Sequence, residues 1–167
     1  MKTTPLESIL TKSYKQEMLD YMEANPQDFN ELVELAITNK QPYSWRAAWL
    51  LWSCMKKNDE MVAPHIGRLI KGLDSFKDGH QRNLINILLK MDIPEDYEGQ
   101  LFDICVNLWM QIEKQSSVRI KAFEVMVSLA KTYPELQHEI KALASDEYID
   151  ALSGGIRKSC LRLLGEL

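Results

Sequence analysis

The chain has 167 residues, of which 46% are hydrophobic and 26% are charged. This length is enough for one domain with its own hydrophobic core, and the composition excludes the disordered and membrane-spanning classes. The net charge of −4, from 20 basic and 24 acidic residues with no basic stretch, counts against duplex DNA as a partner, because non-specific DNA affinity comes from clustered lysine and arginine.

The N-terminal segment predicts a helix rather than a secretion signal. Its start, MKTTPLES, lacks the apolar core of a signal peptide. Thr4, Pro5 and Glu7 instead form the pattern of a capped helix start, and we expect this helix to continue to about Ala24. Because it has no counterpart in the repeats described below, we expect residues 1–24 to cover the end of the array as a capping helix.

Four pairs of helices are predicted after the capping helix, in a single domain that spans the chain. The pairs cover residues 25–57, 58–92, 93–132 and 133–167. In the first pair, we expect the first helix to end near Thr38 and the second to begin at Pro42. The helices of the other three pairs are expected near residues 59–73, 78–91, 96–111, 116–131, 135–144 and 155–167. Pro64 either kinks its helix or delays its start. The sequence pattern does not determine the secondary structure of residues 145–154.

The second helix of each pair contains an arginine at a regular interval. The four arginines are separated by 36, 37 and 38 residues, and they are Arg46, Arg82, Arg119 and Arg157. Apolar residues follow three, six and seven positions after the arginine, in three of the four copies throughout, and these positions share one face of a helix. A unit that returns at this period predicts a helical repeat protein.

The last copy, IRKSCLRLLGEL at residues 156–167, resembles the second helix of the HEAT repeat. In that family an apolar residue and an arginine precede Ala-rich and Leu-rich positions that end near Gly-x-Leu. The resemblance implies an all-α fold, a right-handed α-α superhelix of about four HEAT-like helix pairs with an N-terminal capping helix. With this resemblance we expect a non-catalytic scaffold that binds another protein or peptide through its concave face.

The four arginines have two interpretations. They could line one groove as a clamp for carboxylates or phosphates. Alternatively, each arginine bonds helix ends or the acidic side chains of neighbouring repeats, which is the role that the HEAT resemblance implies. The sequence favours the second interpretation and leaves the first open.

A second candidate surface lies on the opposite face of these helices, one, five and eight positions after each arginine. We expect this face to line the concave side, and its apolar members are Leu51, Cys54, Ile87, Ile120 and Val127. An apolar strip rimmed by polar residues is typical of a groove that binds a helix or a second copy of the chain. The competing interpretation is that the strip is buried in the core.

Three tryptophans, Trp45, Trp49 and Trp52, follow Tyr43 on one predicted helix. They could form an aromatic site for a base or a cation. Because the other copies have isoleucine, leucine or valine at these positions, we expect core packing beneath the capping helix. A pocket for a flipped base would also need a carboxylate, which this helix lacks. The alternative function, a nucleic-acid-binding or DNA-glycosylase-like HEAT protein, is therefore weakened.

No catalytic constellation stands out. Glu135 and His138 have the spacing of a di-iron motif without the second copy that such a site needs, and the acidic residues from Asp92 to Glu98 are expected to cap a helix start. The three cysteines lie beside apolar residues and follow no zinc or disulfide spacing. We therefore expect a cytoplasmic protein that is no enzyme, has no cofactor or metal site and does not associate with membranes.

Overall fold

Every regular element in the computed structural model, which describes residues 2–167, is a helix. The α-helices of this range are α1 Pro5–Lys12, α2 Lys15–Ala24, α3 Phe29–Ile37, α4 Tyr43–Cys54, α5 Ile66–Gly72, α6 Asp78–Leu89, α7 Glu95–Met110, α8 Ser116–Thr132, α9 Gln137–Leu143, α10 Asp146–Ile149 and α11 Gly154–Leu164. Short 3₁₀ helices lie at Pro26–Asp28, Ala63–His65, Leu73–Ser75 and Pro134–Leu136. Over residues 2–167, none of the helices combines the length and the apolar composition needed to cross a bilayer. The all-α prediction is confirmed.

The chain divides into two compact units, residues 1–92 and 93–167. The division falls between the second and third predicted helix pairs.

The predicted capping box at the start of the chain is present. The Glu7 backbone N–H donates to Thr4 Oγ1 at 3.1 Å, and the Thr4 N–H donates to Glu7 Oε2 at 3.1 Å. The Glu7 carboxylate is buried and bonds the Lys40 ammonium, which lowers the pKa of Glu7 below its usual value. These contacts fix α1 against the connection between α3 and α4.

The structure corrects the single helix expected up to Ala24 to two helices. Ser13 and Tyr14 have extended backbone between α1 and α2. Each helix buries one pair of apolar residues, and in one straight helix the two pairs would point about 120° apart. The break allows both helices to pack against α4. The buried pairs are Leu6 with Leu10 in α1 and Met18 with Met22 in α2.

Helices α3, α4 and α6 form the centre of the unit 1–92. α4 begins directly after Pro42, as predicted, and packs against both α3 and α6. α6 is buried on several sides, since every residue from Asn83 to Leu88 is buried. The ring nitrogen Nε2 of His80 lies 2.7 Å from the Ala36 carbonyl oxygen. This hydrogen bond joins the start of α6 to the end of α3.

Helix α5 is shorter than predicted. It begins at Ile66 rather than near Asp59, after the 3₁₀ turn that contains Pro64. A proline has no N–H, and its ring clashes with the carbonyl four residues earlier in a helix. The Asp59 carboxylate instead accepts the backbone N–H groups of Lys56 and Met61, which closes a turn. Pro64 therefore delays the helix, one of the two outcomes that the sequence left open.

The unit 93–167 is centred on the α7–α8 hairpin, whose helices lie within one residue of their predicted bounds. Trp109 of α7 is fully buried, and its ring centroid lies 4.5 Å from that of Phe123 in α8. Its Nε1 donates to the Leu143 carbonyl oxygen at 2.8 Å, at the end of α9. α11 packs against α8 and ends at Leu164, earlier than predicted, and the undecided segment contains α10.

Lowering the pH should destabilise the protein through His80. This residue is 2% exposed, and burial lowers the pKa of His80 below its usual value of 6.5. Below that pH the unfolded chain takes up a proton that the folded protein does not bind. The contribution of His80 is therefore complete above about pH 6.5 and is lost as the pH falls. The free energy of unfolding in urea should decrease by up to about 1.4 kcal/mol per pH unit.

The variant His80→Gln separates this effect from general acid sensitivity. Glutamine retains a side-chain N–H for the Ala36 carbonyl but does not titrate, so the stability of the variant should change less between about pH 8 and about pH 5.5. Measurements above about pH 5 also avoid protonation of Glu7. His138→Gln, at an exposed position, is the matched control. Equal pH dependence of the wild type and His80→Gln would contradict the assignment.

Candidate functional site

A cleft with a volume of about 390 Å³ opens where the start of α2 meets α4 and α6, within the unit 1–92. We call it the N-terminal cleft, and it is lined by Ser13, Tyr14, Lys15, Met18, Trp45, Arg46, Trp49 and Arg82. Arg46 and Arg82 were both candidate binding residues in the sequence. The structure therefore brings two of the four regularly spaced arginines to one site.

Three helices place the side chains of the N-terminal cleft. The extended backbone between α1 and α2 leaves Tyr14 with 83% of its surface exposed. Trp45 and Trp49 are one turn apart on α4 and share a face of that helix. Arg82 of α6 has the same place in its repeat as Arg46 of α4, and the two helices pack together. The repeat itself thus makes the arginines neighbours.

Cations of the chain already lie over the two tryptophan rings of the cleft. The Lys15 Nζ atom is 5.4 Å from the centroid of the Trp49 ring. The Arg46 Cζ atom is 5.0 Å from the centroid of the Trp45 ring. A ring face attracts a cation through its quadrupole, and here two side chains of the protein already occupy that interaction. The cleft is consequently a poor site for a cationic ligand.

Arg82 differs from the other cations of the cleft. Arg46 donates through Nη1 to the Leu10 carbonyl oxygen at 3.0 Å, whereas Arg82 has no hydrogen bond, ion pair or ring contact within residues 2–167. No acidic residue is among the lining residues that the structure describes. The Arg82 guanidinium is therefore an unpaired group of five N–H donors beside three aromatic side chains.

The remaining two arginines bond helix ends in the unit 93–167. Arg119 is fully buried, and it donates from Nε to the Trp109 carbonyl oxygen at 2.9 Å and from Nη2 to the Tyr148 carbonyl oxygen at 2.8 Å. Burial lowers the pKa of Arg119. Arg157 donates from Nη2 to the Asp150 carbonyl oxygen at 3.1 Å. These carbonyls lie at the C-terminal ends of α7 and α10, where cations are favoured.

The comparison with known protein families agrees with this repeat architecture. The whole of residues 3–167 matches the HEAT repeat domain. The chain belongs to the HEAT repeat domain family. Neither a curated protein nor a solved structure matches it. The family assignment gives a helical repeat scaffold. Most of the repeated arginines of this HEAT repeat domain donate hydrogen bonds to carbonyl oxygens at helix ends.

Three of the four HEAT repeat arginines have the structural role that the resemblance implied. Arg46, Arg119 and Arg157 each donate to a carbonyl at the end of another helix. Such bonds satisfy acceptors that a helix leaves unpaired at its C-terminus. Arg82 is the exception, since its donors have no partner among residues 2–167.

Four of the five residues of the apolar strip of the HEAT repeat domain are buried, and Cys54 is only partly buried. The exposed fraction is 0% for Leu51 and Ile87, 6% for Ile120 and 1% for Val127. A helix that is apolar on most sides belongs to a core, and α8 follows this rule, with ten buried residues among seventeen. The burial favours the core interpretation of the strip. Partner binding by these four residues stays a prediction.

The tryptophans of the HEAT repeat domain only partly match the expected core packing. Trp45 is 42% exposed, so the expectation is wrong there, and Trp49 and Trp52 are half-buried. Lys90 Nζ lies 5.6 Å from the Trp52 ring centroid. The core-facing positions of α4 are mostly smaller, which lets α3 and α6 come close to it. These positions, with no exposed surface, are Ser44, Ala47, Ala48, Leu50 and Leu51.

Sequence reasoning missed the contribution of α2 to the site. It placed Tyr14, Lys15 and Met18 inside one continuous helix, where they would not form the wall of a cleft. The signal was the change in helical phase between the apolar pair Leu6 and Leu10 and the apolar residues after Tyr14, since a single helix cannot turn both toward α4.

The cysteines and the other metal-ligating side chains of the described residues form no metal cluster and no activated thiol. Among residues 2–167, no three or more histidine, cysteine, aspartate or glutamate side chains are grouped to hold a metal ion. Burial raises the pKa of the Cys54 and Cys160 thiols to about 11. A protonated thiol is a weak nucleophile. The N-terminal cleft, with the unpaired Arg82 beside three aromatic side chains, is therefore taken as the candidate functional site.

Proposed function

We propose that this HEAT repeat domain is a non-catalytic protein-interaction module whose binding surface is the N-terminal cleft. The unpaired Arg82 guanidinium beside Tyr14 and Trp45 supports the proposal. Arginine, tyrosine and tryptophan dominate the energetic hot spots of protein interfaces, because each combines a large contact area with directed hydrogen bonds. The module acts in the cytoplasm in this proposal, and its three cysteines are free thiols.

The composition of the cleft argues against catalysis. The general base of an enzyme is most often a histidine or a carboxylate, and a cysteine often serves as nucleophile. No histidine, carboxylate or cysteine is among the lining residues of the cleft, whose titratable groups are Tyr14, Lys15 and the two arginines. Binding through aromatic and guanidinium groups needs no such residue.

A nucleic acid is the second candidate, because base stacking on aromatic rings next to cations is how single strands bind. Two observations favour a protein. Residues 1–92 contain twelve basic and twelve acidic residues, so this unit has no general excess of positive charge. Two of the three cations of the cleft lie over the tryptophan faces on which bases would stack. A glycosylase would further need a carboxylate, which the cleft does not provide.

Site-specific photo-crosslinking tests the proposal. A benzophenone amino acid replaces Tyr14, whose exposure makes a structural effect small, and a second protein has the same label at Ile112, which is 48% exposed and outside the cleft. After irradiation in native lysate, we expect a nuclease-resistant protein adduct at position 14 alone. Arg82→Ala in the labelled protein should abolish it.

The adducted protein, once identified, must bind the unlabelled domain directly. In calorimetry the purified partner should bind the wild type and lose affinity for Arg82→Ala by about tenfold or more. An adduct that nuclease removes would instead support the nucleic-acid alternative. An adduct of equal yield at both label positions would contradict a specific site at the cleft.

A further inference from the structure

The charge of the N-terminal cleft restricts what can occupy it. Its lining contains Lys15, Arg46 and Arg82 and no acidic side chain, although the unit 1–92 has equal numbers of basic and acidic residues. The local positive charge is therefore a property of the cleft rather than of its surroundings. A ligand that brings negative charge is attracted, and a cationic ligand meets three like charges.

Arg82 requires an acceptor when the cleft is covered. Arg82 is partly exposed, and because no residue in the range 2–167 bonds its N–H groups, they are open to water in the free protein. A ligand that displaces this water without supplying an acceptor would leave a desolvated, unpaired charge, which is strongly unfavourable. A carboxylate can accept two parallel bonds from the guanidinium fork. Complementarity therefore calls for an aspartate or glutamate opposite Arg82.

The rest of the cleft is apolar and aromatic. Tyr14, Met18, Trp45 and Trp49 provide carbon surface around the cations. A single acidic side chain would leave most of this surface in contact with water. An acidic residue flanked by an apolar residue fits both parts of the lining, as in peptide recognition where a charged contact gives orientation and an apolar contact gives affinity.

We infer that the N-terminal cleft binds a short acidic segment of a partner protein, in which acidic and apolar side chains alternate and one carboxylate pairs with Arg82. The inference rests on the proposed function and names the chemistry of its partner. Packed helices such as α4 and α6 have axes about 8–10 Å apart. An extended peptide places every second side chain about 7 Å apart on one side, so a second acid can reach the free N–H groups of Arg46.

Fluorescence anisotropy with a defined peptide tests the inference. The probe is a fluorescein-labelled, end-capped peptide of about ten residues in which glutamate and leucine alternate. Two companion probes have glutamine or lysine in place of glutamate. The wild-type domain should bind the glutamate peptide at least about tenfold more tightly than the glutamine peptide, as expected for a charge-assisted hydrogen bond. The lysine peptide should not bind.

Variants locate the binding. Arg82→Ala should lower the affinity for the glutamate peptide by about tenfold or more. Arg82→Lys should lower this affinity less, because lysine keeps the charge but cannot donate two parallel N–H bonds. Arg162→Ala removes the same charge from an exposed position of α11 and is the matched control. It should leave the affinity unchanged. Since Arg82 has no intramolecular partner among residues 2–167, its variant should melt like the wild type.

Several outcomes would overturn the inference. Equal affinity for the glutamate and glutamine peptides would show that the carboxylate does not contribute to binding. Equal losses of affinity in Arg82→Ala and Arg162→Ala would show that binding depends on the overall charge of the domain rather than on Arg82. Concentration-dependent dimerisation in sedimentation, abolished by Arg82→Ala, would make the occupant a second copy of the chain. If a crosslinked partner needs Arg82 but its crosslinked segment has no acidic residue, the inference fails while the proposed function stands.

Discussion

Replacing Arg119 by alanine should lower the free energy of unfolding by about 3 kcal/mol. Its buried guanidinium donates to the carbonyl oxygens of Trp109 and Tyr148 and lies 4.7 Å from the centroid of the Trp109 ring. The variant leaves both carbonyls without this donor and opens a cavity beside the indole. Relief of the buried charge offsets part of this loss, since no carboxylate forms an ion pair with Arg119 in the described range.

Urea unfolding followed by the indole resonance of Trp109 measures the change within its own unit, because the other three tryptophans lie in residues 1–92. Arg119→Met, which nearly preserves volume, isolates the contribution of the hydrogen bonds. Arg157→Ala is the matched control at the equivalent position, where the arginine is half-exposed, and it should cost less than about 1 kcal/mol. Equal losses in the two alanine variants would show that burial of Arg119 adds nothing.

Ile87→Asp should cost about 4 kcal/mol or more, because it places a carboxylate where the wild-type side chain has no exposed surface. The residue lies in the run of α6 in which every side chain is buried. Ile120→Asp makes the same change in the unit 93–167, at a position with 6% exposure. Thermal and urea unfolding should both show the loss.

Leu161→Asp is the control for these aspartate variants, since Leu161 is 53% exposed. It should change the stability by no more than about 0.5 kcal/mol. The two interpretations of the apolar strip give opposite results. A variant Ile87→Asp that folds with normal stability but loses partner binding would show that the strip is an open groove rather than core.

The sequence predicts most of the helices because their apolar residues recur at helical spacing. Helices α7 and α8 and the start of α4 lie where the pattern places them. Periodicity shows which residues are apolar but not how many neighbours a helix has. Ile87 and Val127 were for this reason placed on a separate face, although α6 and α8 are covered on several sides.

The candidate site was only half predictable. The regular spacing identified Arg46 and Arg82, and their equal places in adjacent repeats make them neighbours. The spacing could not show that Arg46 bonds a carbonyl while Arg82 bonds nothing in the described range, since the difference depends on where α1 ends. Tyr14 was missed because no glycine or proline marks the break after Ser13.

The bond from Arg46 to the Leu10 carbonyl joins the first helix to the wall of the N-terminal cleft. If α1 detached by local opening, Arg46 would lose its acceptor and the segment at Tyr14 would leave the cleft wall, so under the proposed function only molecules with α1 docked would bind. The observed dissociation constant is then the intrinsic one divided by the docked fraction. By the same linkage, a ligand in the cleft should slow amide hydrogen exchange in α1, although the ligand does not contact the buried residues of that helix.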